Sequence, residues 1–247
     1  MKHYLKDKVV IVTGGSSGFG YETARLLLEA EAKVIITGRN IERLQKAETE
    51  LGTSRNLLVV QADATRSEDW KRLIDGTVKQ FGVLDVLINN HGAGGQIAKV
   101  ESMNDEKIDE TIDINLTGVI KGCREAVRVM KPRGKGLIVN VSSGCARHAW
   151  ANWSVYTAAK AGMVSFTRCL CMEMVEWGGK ASSFIPGAAQ TNFCKAAGID
   201  DSWMEGFPSA EDFARSLVHC LDVPESCVIE EINIWGTRQL KDMLTAL

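Results

Sequence analysis

The sequence predicts an α/β fold in which one doubly wound, seven-stranded parallel sheet is flanked by helices on both faces. Two observations predict it: short apolar runs rich in Val, Ile and Leu recur along the 247 residues, and amphipathic helical patterns separate them. Near-continuous apolar strands are typical of a parallel sheet that is buried on both faces. Because no linker, low-complexity segment or repeat interrupts the alternation, we expect one domain over residues 1–247.

Each apolar run corresponds to one predicted strand. The runs cover residues 9–14, 33–38, 57–63, 84–90, 136–143, 181–187 and 228–236. Helical patterns follow the first three runs, at residues 21–32, 41–51 and 67–81. Ligands of open parallel sheets bind beyond the carboxyl ends of the strands. We therefore expect the irregular segments that follow strand ends to be walls of one site, namely residues 91–104, 143–154 and 187–208.

Composition argues against several classes of function. The formal net charge is −2 and hydrophobic residues make up 45% of the chain. This charge gives no electrostatic reason to expect nucleic acid or an anionic membrane as a partner. No apolar run approaches the roughly 20 residues of a membrane span, and the first ten residues lack the apolar segment of a secretory signal. We expect a cytoplasmic protein that acts on a small molecule.

The cysteines predict neither a disulfide framework nor a zinc site. There are seven of them, an odd number, and no CxxC pair occurs. A reducing cytosol fits this pattern best, and we expect no metal. Small core residues are the expected role of Cys123, Cys169, Cys171, Cys194, Cys220 and Cys227. Cys145 is set apart because it lies close to the reactive residues described below.

A glycine-rich turn, "TGGSSGFG", connects the first predicted strand to the first helix over residues 13–20. Gly14 permits a tight turn, and Gly18 and Gly20 let the backbone approach a ligand. The unpaired N–H groups at a helix N-terminus suit a pyrophosphate. The spacing is GxxxGxG rather than GxGxxG, and it lacks the lysine of an NTP-hydrolysing P-loop. A plain strand-to-helix turn is the alternative.

The end of the second predicted strand favours NADP(H) over NAD(H). An acidic residue usually holds the ribose 2′-OH about 20 residues after such a turn, but residues 37–40 read Thr-Gly-Arg-Asn. The guanidinium of Arg39 suits a 2′-phosphate instead; a solvated arginine is the alternative. After the third strand, Asp63 could accept the adenine amino group, with Ala64 against the ring, or Asp63 could cap the next helix.

Tyr156 and Lys160 lie four residues apart at the start of a predicted helix, which puts them on one face. An ammonium beside a phenol favours the phenolate and lowers its pKa from about 10, which makes Tyr156 a candidate general acid or base. An exposed helical pair is the alternative. Ser142 and Ser143 end the fifth predicted strand, where a hydroxyl can hold a carbonyl oxygen while Tyr156 donates a proton.

Several motifs follow one another along the chain: TGxxxGxG (13–20), NNHG (89–92), DINLTG with Asn115, Ser143, YxxxK (156–160) and PGAAQT (186–191). Through them the chain resembles the short-chain dehydrogenase/reductase family from about Lys8 to Pro186, although the family usually has NNAG at 89–92. The resemblance implies a Rossmann-like fold in which Ser143 polarises a carbonyl and Tyr156 is the acid or base. It also implies that Lys160 lowers the tyrosine pKa and binds the nicotinamide ribose, and that Asn115 holds a water for proton relay.

The resemblance also implies an NADP(H) site. Asn89 would support the cofactor loop and Thr191 would reach the carboxamide. His91 departs from the family because it replaces a small residue, and it either faces outward or touches ribose or substrate. The segment before Pro186 also lacks the usual Arg-Val-Asn run. The expected cofactor-binding residues are Gly14, Ser16, Ser17, Gly18, Phe19, Gly20, Arg39, Asp63, Ala64, Asn90, Tyr156, Lys160, Pro186, Gly187 and Thr191.

The expected activity is NADPH-dependent interconversion of a carbonyl and an alcohol. A non-catalytic NADP(H)-binding sensor, an epimerase or dehydratase, and a hydroxy-acid or steroid dehydrogenase of the same family remain alternatives. The family suggests a homo-oligomer, a tetramer or dimer built on long helices around 108–132 and 155–177. Aromatic and apolar residues in the loops after the fifth and sixth strands favour a lid over an apolar substrate. Packing of these residues in the core or against another subunit is the alternative. The residues are Cys145, His148, Trp150, Trp153, Phe193, Trp203, Met204 and Phe207.

Overall fold

The computed structural model describes residues 2–191, 193, 201–224 and 226–245. Its strands are β1 (Val9–Thr13), β2 (Lys33–Gly38), β3 (Leu57–Gln61), β4 (Val86–Asn89), β5 (Gly136–Val141), β6 (Gly179–Pro186) and β7 (Glu231–Ile234). They form a seven-stranded sheet in the order β3-β2-β1-β4-β5-β6-β7, and every neighbouring pair is parallel. The predicted α/β fold with a doubly wound parallel sheet is confirmed.

Helices alternate with these strands. They are α1 (Lys2–Leu5), α2 (Gly18–Glu29), α3 (Ile41–Leu51), α4 (Ser67–Phe81), α5 (Asp105–Ile112), α6 (Gly118–Met130), α7 (Ser154–Val175), α8 (Ala210–Leu221) and α9 (Thr237–Thr245). A π-helical turn, Asp113–Thr117, joins α5 to α6. None of the described helices combines the length and the hydropathy that crossing a membrane requires.

Strand β1 shows why the sheet is buried on both faces. All five of its residues are buried. Because side chains alternate along a strand, Val10 and Val12 pack into one hydrophobic core, and Val9 and Ile11 pack into another on the opposite face. A strand covered on both faces needs apolar residues at successive positions, which is the pattern that predicted it.

Helices cover the two faces of the sheet as predicted. In the first core the strands pack against buried residues of α2, α3 and α8, such as Leu27, Leu44 and Leu217. In the second core they pack against α4, α6 and α7, through residues such as Trp70 and Met163. The ends of the parallel strands therefore remain the part of the sheet that helices do not cover.

The strand boundaries differ from the predicted ones at several ends. The third strand ends at Gln61 rather than at residue 63, and the last one covers only Glu231–Ile234 of the predicted 228–236. Beyond Gln61 one ladder hydrogen bond continues, from the Ala62 amide to the Gly38 carbonyl at 3.0 Å. The chain then turns, because β2 ends at Gly38 and offers no further partner. The first long helix begins at Gly18, three residues before the predicted start.

The prediction that the cysteines are core residues holds only in part. Cys123 and Cys171 are buried, Cys145 and Cys220 are half-buried, and Cys194 lies outside the described residues. The prediction is wrong for Cys169 and Cys227, which are exposed. Cys169 and Cys171 both belong to α7, where two residues of separation turn a side chain by about 200°, so one faces the core and the other solvent.

Two helical glycines make a matched test of packing against the second core. A Cβ on Gly122 of α6 would lie 2.5 Å from the Trp70 ring, whereas a Cβ on Gly76 of α4 would meet nothing within 4 Å. We expect Gly122→Ala to lower the free energy of unfolding by about 1–3 kcal/mol through overpacking. Gly76→Ala should raise it by about 1 kcal/mol, because alanine favours the helix. Urea unfolding measures both; equal effects of the two substitutions would contradict the packing described here.

Candidate active site

One cleft, with a volume of about 1040 Å³, runs along the carboxyl ends of the strands. Each of the three irregular segments expected to form the site contributes to its lining. The cleft is also lined by residues that follow β1, β2 and β3, among them Gly14, Arg39 and Asp63. A cleft of this size matches the larger ligand sites of proteins.

The glycine-rich turn lies at the edge of this cleft. Gly14 and Gly18 have φ values of +66° and +54°, a region that residues with a Cβ rarely adopt. Gly20 has another role, because a Cβ there would lie 2.4 Å from the Gly14 carbonyl oxygen, so its small size lets α2 pack on the turn. The N-cap residue Ser17 makes no side-chain capping bond, which leaves the first amides of α2 available to an anion.

The hydroxyl of Thr13 ties the ends of β1 and β4 together. Its Oγ1 accepts the backbone N–H of Asn90 at 2.9 Å and that of His91 at 3.0 Å. The side-chain amide of Asn90 donates in return to the Thr13 carbonyl oxygen at 2.9 Å. Asn89, one residue earlier, points into the sheet and donates to Asn140 at 2.8 Å. Asn90 lines the cleft, and Asn89 supports the strand below it.

His91 is buried, so the expectation that it could face outward is wrong. Its ring lies beside the Trp70 ring at 5.9 Å, and its Nδ1 is 2.8 Å from Thr13 Oγ1. Thr13 Oγ1 also lies 3.3 Å from the Ile88 carbonyl oxygen, a second acceptor for its proton. Within the described residues, the buried His91 Nε2 has no hydrogen-bond partner. Burial, followed by the nearby charge of Lys160, lowers the pKa of the imidazole to about 3. His91 is therefore a neutral side chain on the floor of the cleft.

The end of the cleft near β2 carries positive charge. Arg39 lines it, is exposed, and makes no ion pair within the described part of the chain. Arg43, in the first turn of α3, lines the same cleft. Sequence reasoning missed Arg43, and no helical spacing links the two arginines, because Arg39 precedes the N-cap residue Asn40. Two guanidinium groups thus border the end where no carboxylate follows β2.

Asp63 is held in place by Thr65 and by Asp69 of α4. Its Oδ1 accepts both the N–H and the hydroxyl of Thr65, at 2.9 and 2.8 Å, and its N–H donates to Asp69. The N-cap residue of α4 is Arg66, so the alternative that Asp63 caps the next helix is wrong. Ala64 accepts the indole N–H of Trp70 through its carbonyl and lines the cleft beside Asp63.

Tyr156 and Lys160 lie on the cleft-facing side of α7. Both are buried, and Lys160 Nζ lies 5.8 Å from the centre of the Tyr156 ring. Nζ donates to the carbonyl oxygen of Val141 at 3.0 Å. Burial lowers the pKa of the Lys160 ammonium to about 7. The alternative that this is an exposed helical pair is wrong.

The two serines after β5 have different surroundings. The Ser142 hydroxyl is buried and donates to the Lys160 carbonyl oxygen at 2.9 Å. Ser143 Oγ accepts the Cys145 N–H at 3.2 Å and lines the cleft. The Ser143 hydroxyl also makes a hydrogen bond with the Cys145 thiol. Cys145 also lines the cleft, and burial raises the pKa of its thiol.

Asn115 lies in the π-helical turn between α5 and α6 and is fully buried. Its amide group clamps Ala93: Oδ1 accepts the Ala93 N–H at 3.2 Å, and Nδ2 donates to the Ala93 carbonyl at 2.8 Å. A Cβ on Gly92 would lie 2.9 Å from Asn115 Oδ1 and 3.4 Å from Lys160 Nζ. Asn115 thus fixes the loop that passes over Lys160.

The end of β6 brings further residues to the cleft, including two that sequence reasoning missed. Pro186, Gly187 and Thr191 line it as predicted, and a Cβ on Gly18 would lie 3.7 Å from Thr191. Gln239 accepts the Ala188 N–H at 3.0 Å, and Trp235 packs against Gly187. Both come from the last 20 residues, where no local motif pointed to the cleft.

The predicted aromatic lid separates into two groups. Trp150, Trp153, Phe193 and Trp203 line the cleft. Met204 and Phe207 are instead buried in a small hydrophobic cluster with Ala188 and Phe193, so the expectation that they cover the substrate is wrong. His148 packs edge-on against Trp235 at 5.0 Å.

Several known proteins are similar to this chain in sequence or in fold. Residues 8–201 match the family described as short chain dehydrogenase. A relative described as an uncharacterized oxidoreductase of Staphylococcus aureus (strain USA300) is 31% identical over 232 residues, which are 93% of this chain and 97% of the relative. The protein is therefore an oxidoreductase. It belongs to the short-chain dehydrogenase family.

Two solved structures have the same fold. A serine dehydrogenase complexed with NADP⁺ has a TM-score of 0.87 and 26% identity over 94% of this chain and 96% of that chain. A 3-ketoacyl-(acyl-carrier-protein) reductase from Brucella melitensis, complexed with NADH, also has a TM-score of 0.87 and 26% identity, over 95% and 99%. Both structures hold a nicotinamide dinucleotide, and they differ in which one.

The buried imidazole gives a pH-dependent contribution to stability. The native state keeps His91 neutral down to a pKa of about 3, whereas an unfolded histidine takes up a proton near pH 6.5. The free energy of unfolding should therefore fall as the pH drops below about 6.5, by about 2 kcal/mol at pH 5 relative to pH 7.

His91→Asn removes this pH dependence, and urea unfolding of the wild type and the variant at both pH values measures the difference. His219→Asn changes an exposed histidine of α8 and serves as the control. Wild-type and His91→Asn stabilities that fall in parallel between pH 7 and pH 5 would contradict the buried, neutral state of His91.

Proposed function

We propose that the protein is an NADPH-dependent oxidoreductase that interconverts a carbonyl compound and the corresponding primary or secondary alcohol. Its substrate is small to medium in size and partly apolar. The observation that carries this proposal is the convergence of Ser143, Tyr156 and Lys160 on the cleft that the glycine-rich turn also lines. A proton donor and a dinucleotide cradle in one cleft are what carbonyl reduction requires.

The glycine-rich turn fits the pyrophosphate of a dinucleotide. Positive φ values at Gly14 and Gly18 expose the backbone, and the uncapped start of α2 offers N–H donors. Ser16, Ser17, Phe19 and Gly20 line the same edge of the cleft. When bound, NADPH supplies a hydride to the carbonyl carbon, whose oxygen then requires a proton.

Tyr156 donates that proton. Lys160 lies beside its ring, and a positive charge there stabilises the phenolate that remains after the proton has left. The lowered pKa of Lys160, about 7, lets the lysine give up or regain its own proton near neutral pH. Such a group can pass a proton on to the tyrosine. Asn115 holds the adjacent loop, and a water bound there would continue the relay to solvent.

Ser143 orients the carbonyl. Its oxygen accepts the Cys145 N–H at 3.2 Å, and its hydroxyl proton, which the Cys145 thiol accepts in this structure, can be donated to a ligand in the cleft instead. Donation of this proton to the substrate oxygen polarises the C=O bond and holds the oxygen near Tyr156. Asn90, Pro186, Gly187 and Thr191 line the neighbouring stretch of the cleft and are suited to the nicotinamide half of the cofactor.

The charge at the β2 end of the cleft supports NADP(H) over NAD(H). Arg39 has no acidic partner within the described residues, and Arg43 lines the cleft with it. Guanidinium groups bind phosphate through paired hydrogen bonds, so a 2′-phosphate is a suitable partner for them. Asp63 and Ala64 lie at the same end and are suited to the adenine.

Exposed apolar side chains support assembly into a homo-oligomer, a dimer or tetramer. Met172 and Val175 on α7 are 66% and 45% exposed, and Ile120 on α6 is 38% exposed. Burial of such side chains against a second copy would remove them from water. The odd cysteine count supports a reducing, cytoplasmic location.

Tyr156→Phe tests the catalytic assignment. Loss of the phenolic proton should lower kcat for NADPH-dependent carbonyl reduction by about 10²–10⁴, the usual contribution of general acid catalysis. NADPH should still bind, because the ring remains. Tyr21→Phe removes a hydroxyl outside the cleft lining and should leave kcat unchanged. Absorbance at the NADPH band measures turnover; full activity of Tyr156→Phe would favour a role other than carbonyl reduction.

Arg39→Asp tests the cofactor assignment. Loss of a charged hydrogen-bond donor to the 2′-phosphate should raise the Kd for NADPH by about 10- to 100-fold. The Kd for NADH should stay level or fall, because a carboxylate can accept the 2′-OH. Arg55→Asp makes the same charge change at an exposed position outside the cleft. Fluorescence titration of the wild type and both variants gives the Kd for each cofactor, and equal NADPH affinity before and after Arg39→Asp would refute the role of Arg39.

A further inference from the structure

Four aromatic rings surround the Tyr156 end of the cleft. We name Trp150, Trp153, Phe193 and Trp235 the aromatic wall; all four line the cleft. The Trp153 ring meets the Tyr156 ring edge-on at 5.4 Å, and the Phe193 ring lies 5.7 Å from the Tyr156 ring, tilted by 46°. Trp150 and Trp235 lie 6.3 Å apart with an angle of 38° between their planes. Rings from three separate chain segments therefore face the place where the carbonyl would react.

The Trp235 part of the wall is held rigidly. A Cβ on Gly144 would lie 2.4 Å from the indole and one on Gly187 would lie 2.9 Å from it, so the ring fills the space between these two backbones. Its Nε1–H donates to Asn233 at 2.7 Å. Because this polar atom already has a partner, the ring offers only apolar surface to a ligand. A fixed ring loses little freedom when a ligand packs on it.

Free charge is scarce at this end among the residues that the structure describes. Lys160 is the ionisable partner of Tyr156 in the proposed reaction. Arg147, next to His148, pairs with Glu231, which also pairs with Arg168. Lys107 and Glu110 of α5 line the cleft and pair with each other at 2.7 Å. The cationic side chains that could bind a substrate carboxylate or phosphate are thus engaged, apart from the arginines at the β2 end.

We propose that the substrate is a flat, uncharged, apolar ring ketone, or the matching alcohol, whose ring packs on the aromatic wall while its carbonyl reaches Ser143 and Tyr156. This inference rests on the proposed function and names its substrate class. In the reduction, the carbonyl carbon gains a hydride from NADPH and its oxygen gains a proton from Tyr156, which leaves NADP⁺ and the alcohol. Aromatic faces prefer planar ring partners, and the scarcity of free cations in the described part of the chain disfavours keto acids and phosphorylated carbonyls.

Matched ketones test the preference on the unmodified enzyme. 1-Tetralone is flat and uncharged, cyclohexanone lacks the aromatic ring, and benzoylformate keeps the ring but adds a carboxylate. NADPH oxidation should give a kcat/KM for 1-tetralone about tenfold above that for cyclohexanone, and higher still relative to benzoylformate. A higher kcat/KM for benzoylformate or cyclohexanone overturns this inference alone. No oxidation with any carbonyl compound, although NADPH binds, overturns the proposed function as well.

Variants of Trp150 test the wall itself. Trp150→Leu should raise the KM for 1-tetralone by about tenfold and the KM for cyclohexanone by less, while Trp150→Phe, which keeps a ring, should restore part of the loss. Equal changes for the two ketones, or no change, overturn the role of the wall.

A spectroscopic measurement does not depend on the folding of a variant. In the ¹⁵N-labelled wild-type complex with NADP⁺, addition of 1-tetralone should shift the indole N–H resonances of the wall, and benzoylformate at the same concentration should leave them in place. Shifts confined to other tryptophans would contradict binding at the wall.

Discussion

The cleft depends on the reversal of strand order between β1 and β4. From β1 the chain builds outward through β2 and β3, and it then returns to place β4 on the other side of β1. The connections that leave these two strands cover opposite faces, since α2 packs in the first core and α6 in the second. Because the two connections leave the sheet toward opposite faces, a crevice opens between the carboxyl ends of β1 and β4. Thr13 sets its floor, because one hydroxyl oxygen accepts the amides of both Asn90 and His91.

The parts of this arrangement that could be predicted from the sequence are those that short stretches encode. Strand β1 is apolar at successive positions, and the spacing of Tyr156 and Lys160 puts both on one face of α7 whatever surrounds the helix. The position of Trp235 could not be predicted, since it depends on the pairing of β7 with β6, more than 40 residues away in sequence. The burial of His91 likewise follows from Trp70, which arrives on a different helix.

Buried polar groups concentrate around the candidate site. Lys160 donates to a backbone carbonyl oxygen, and the side-chain amide of Asn115 donates to the carbonyls of Ala93 and Thr111. His91 is hydrogen-bonded to the hydroxyl of Thr13. Each such group loses hydration on folding, and the lowered pKa values of Lys160 and His91 express that loss. Folds accept groups of this kind mainly where chemistry needs them. The polar chain below the site, from Asn89 to Asn140 to Thr167, is fixed by good hydrogen bonds of 2.8 Å each.

The two ends of the cleft come from different parts of the chain. The arginine end is built by residues between Gly14 and Ala64, whereas the aromatic wall is built by residues between Trp150 and Trp235. Substitutions in the aromatic wall would therefore change the substrate preference and leave the residues of the arginine end, and with them the cofactor preference, unchanged.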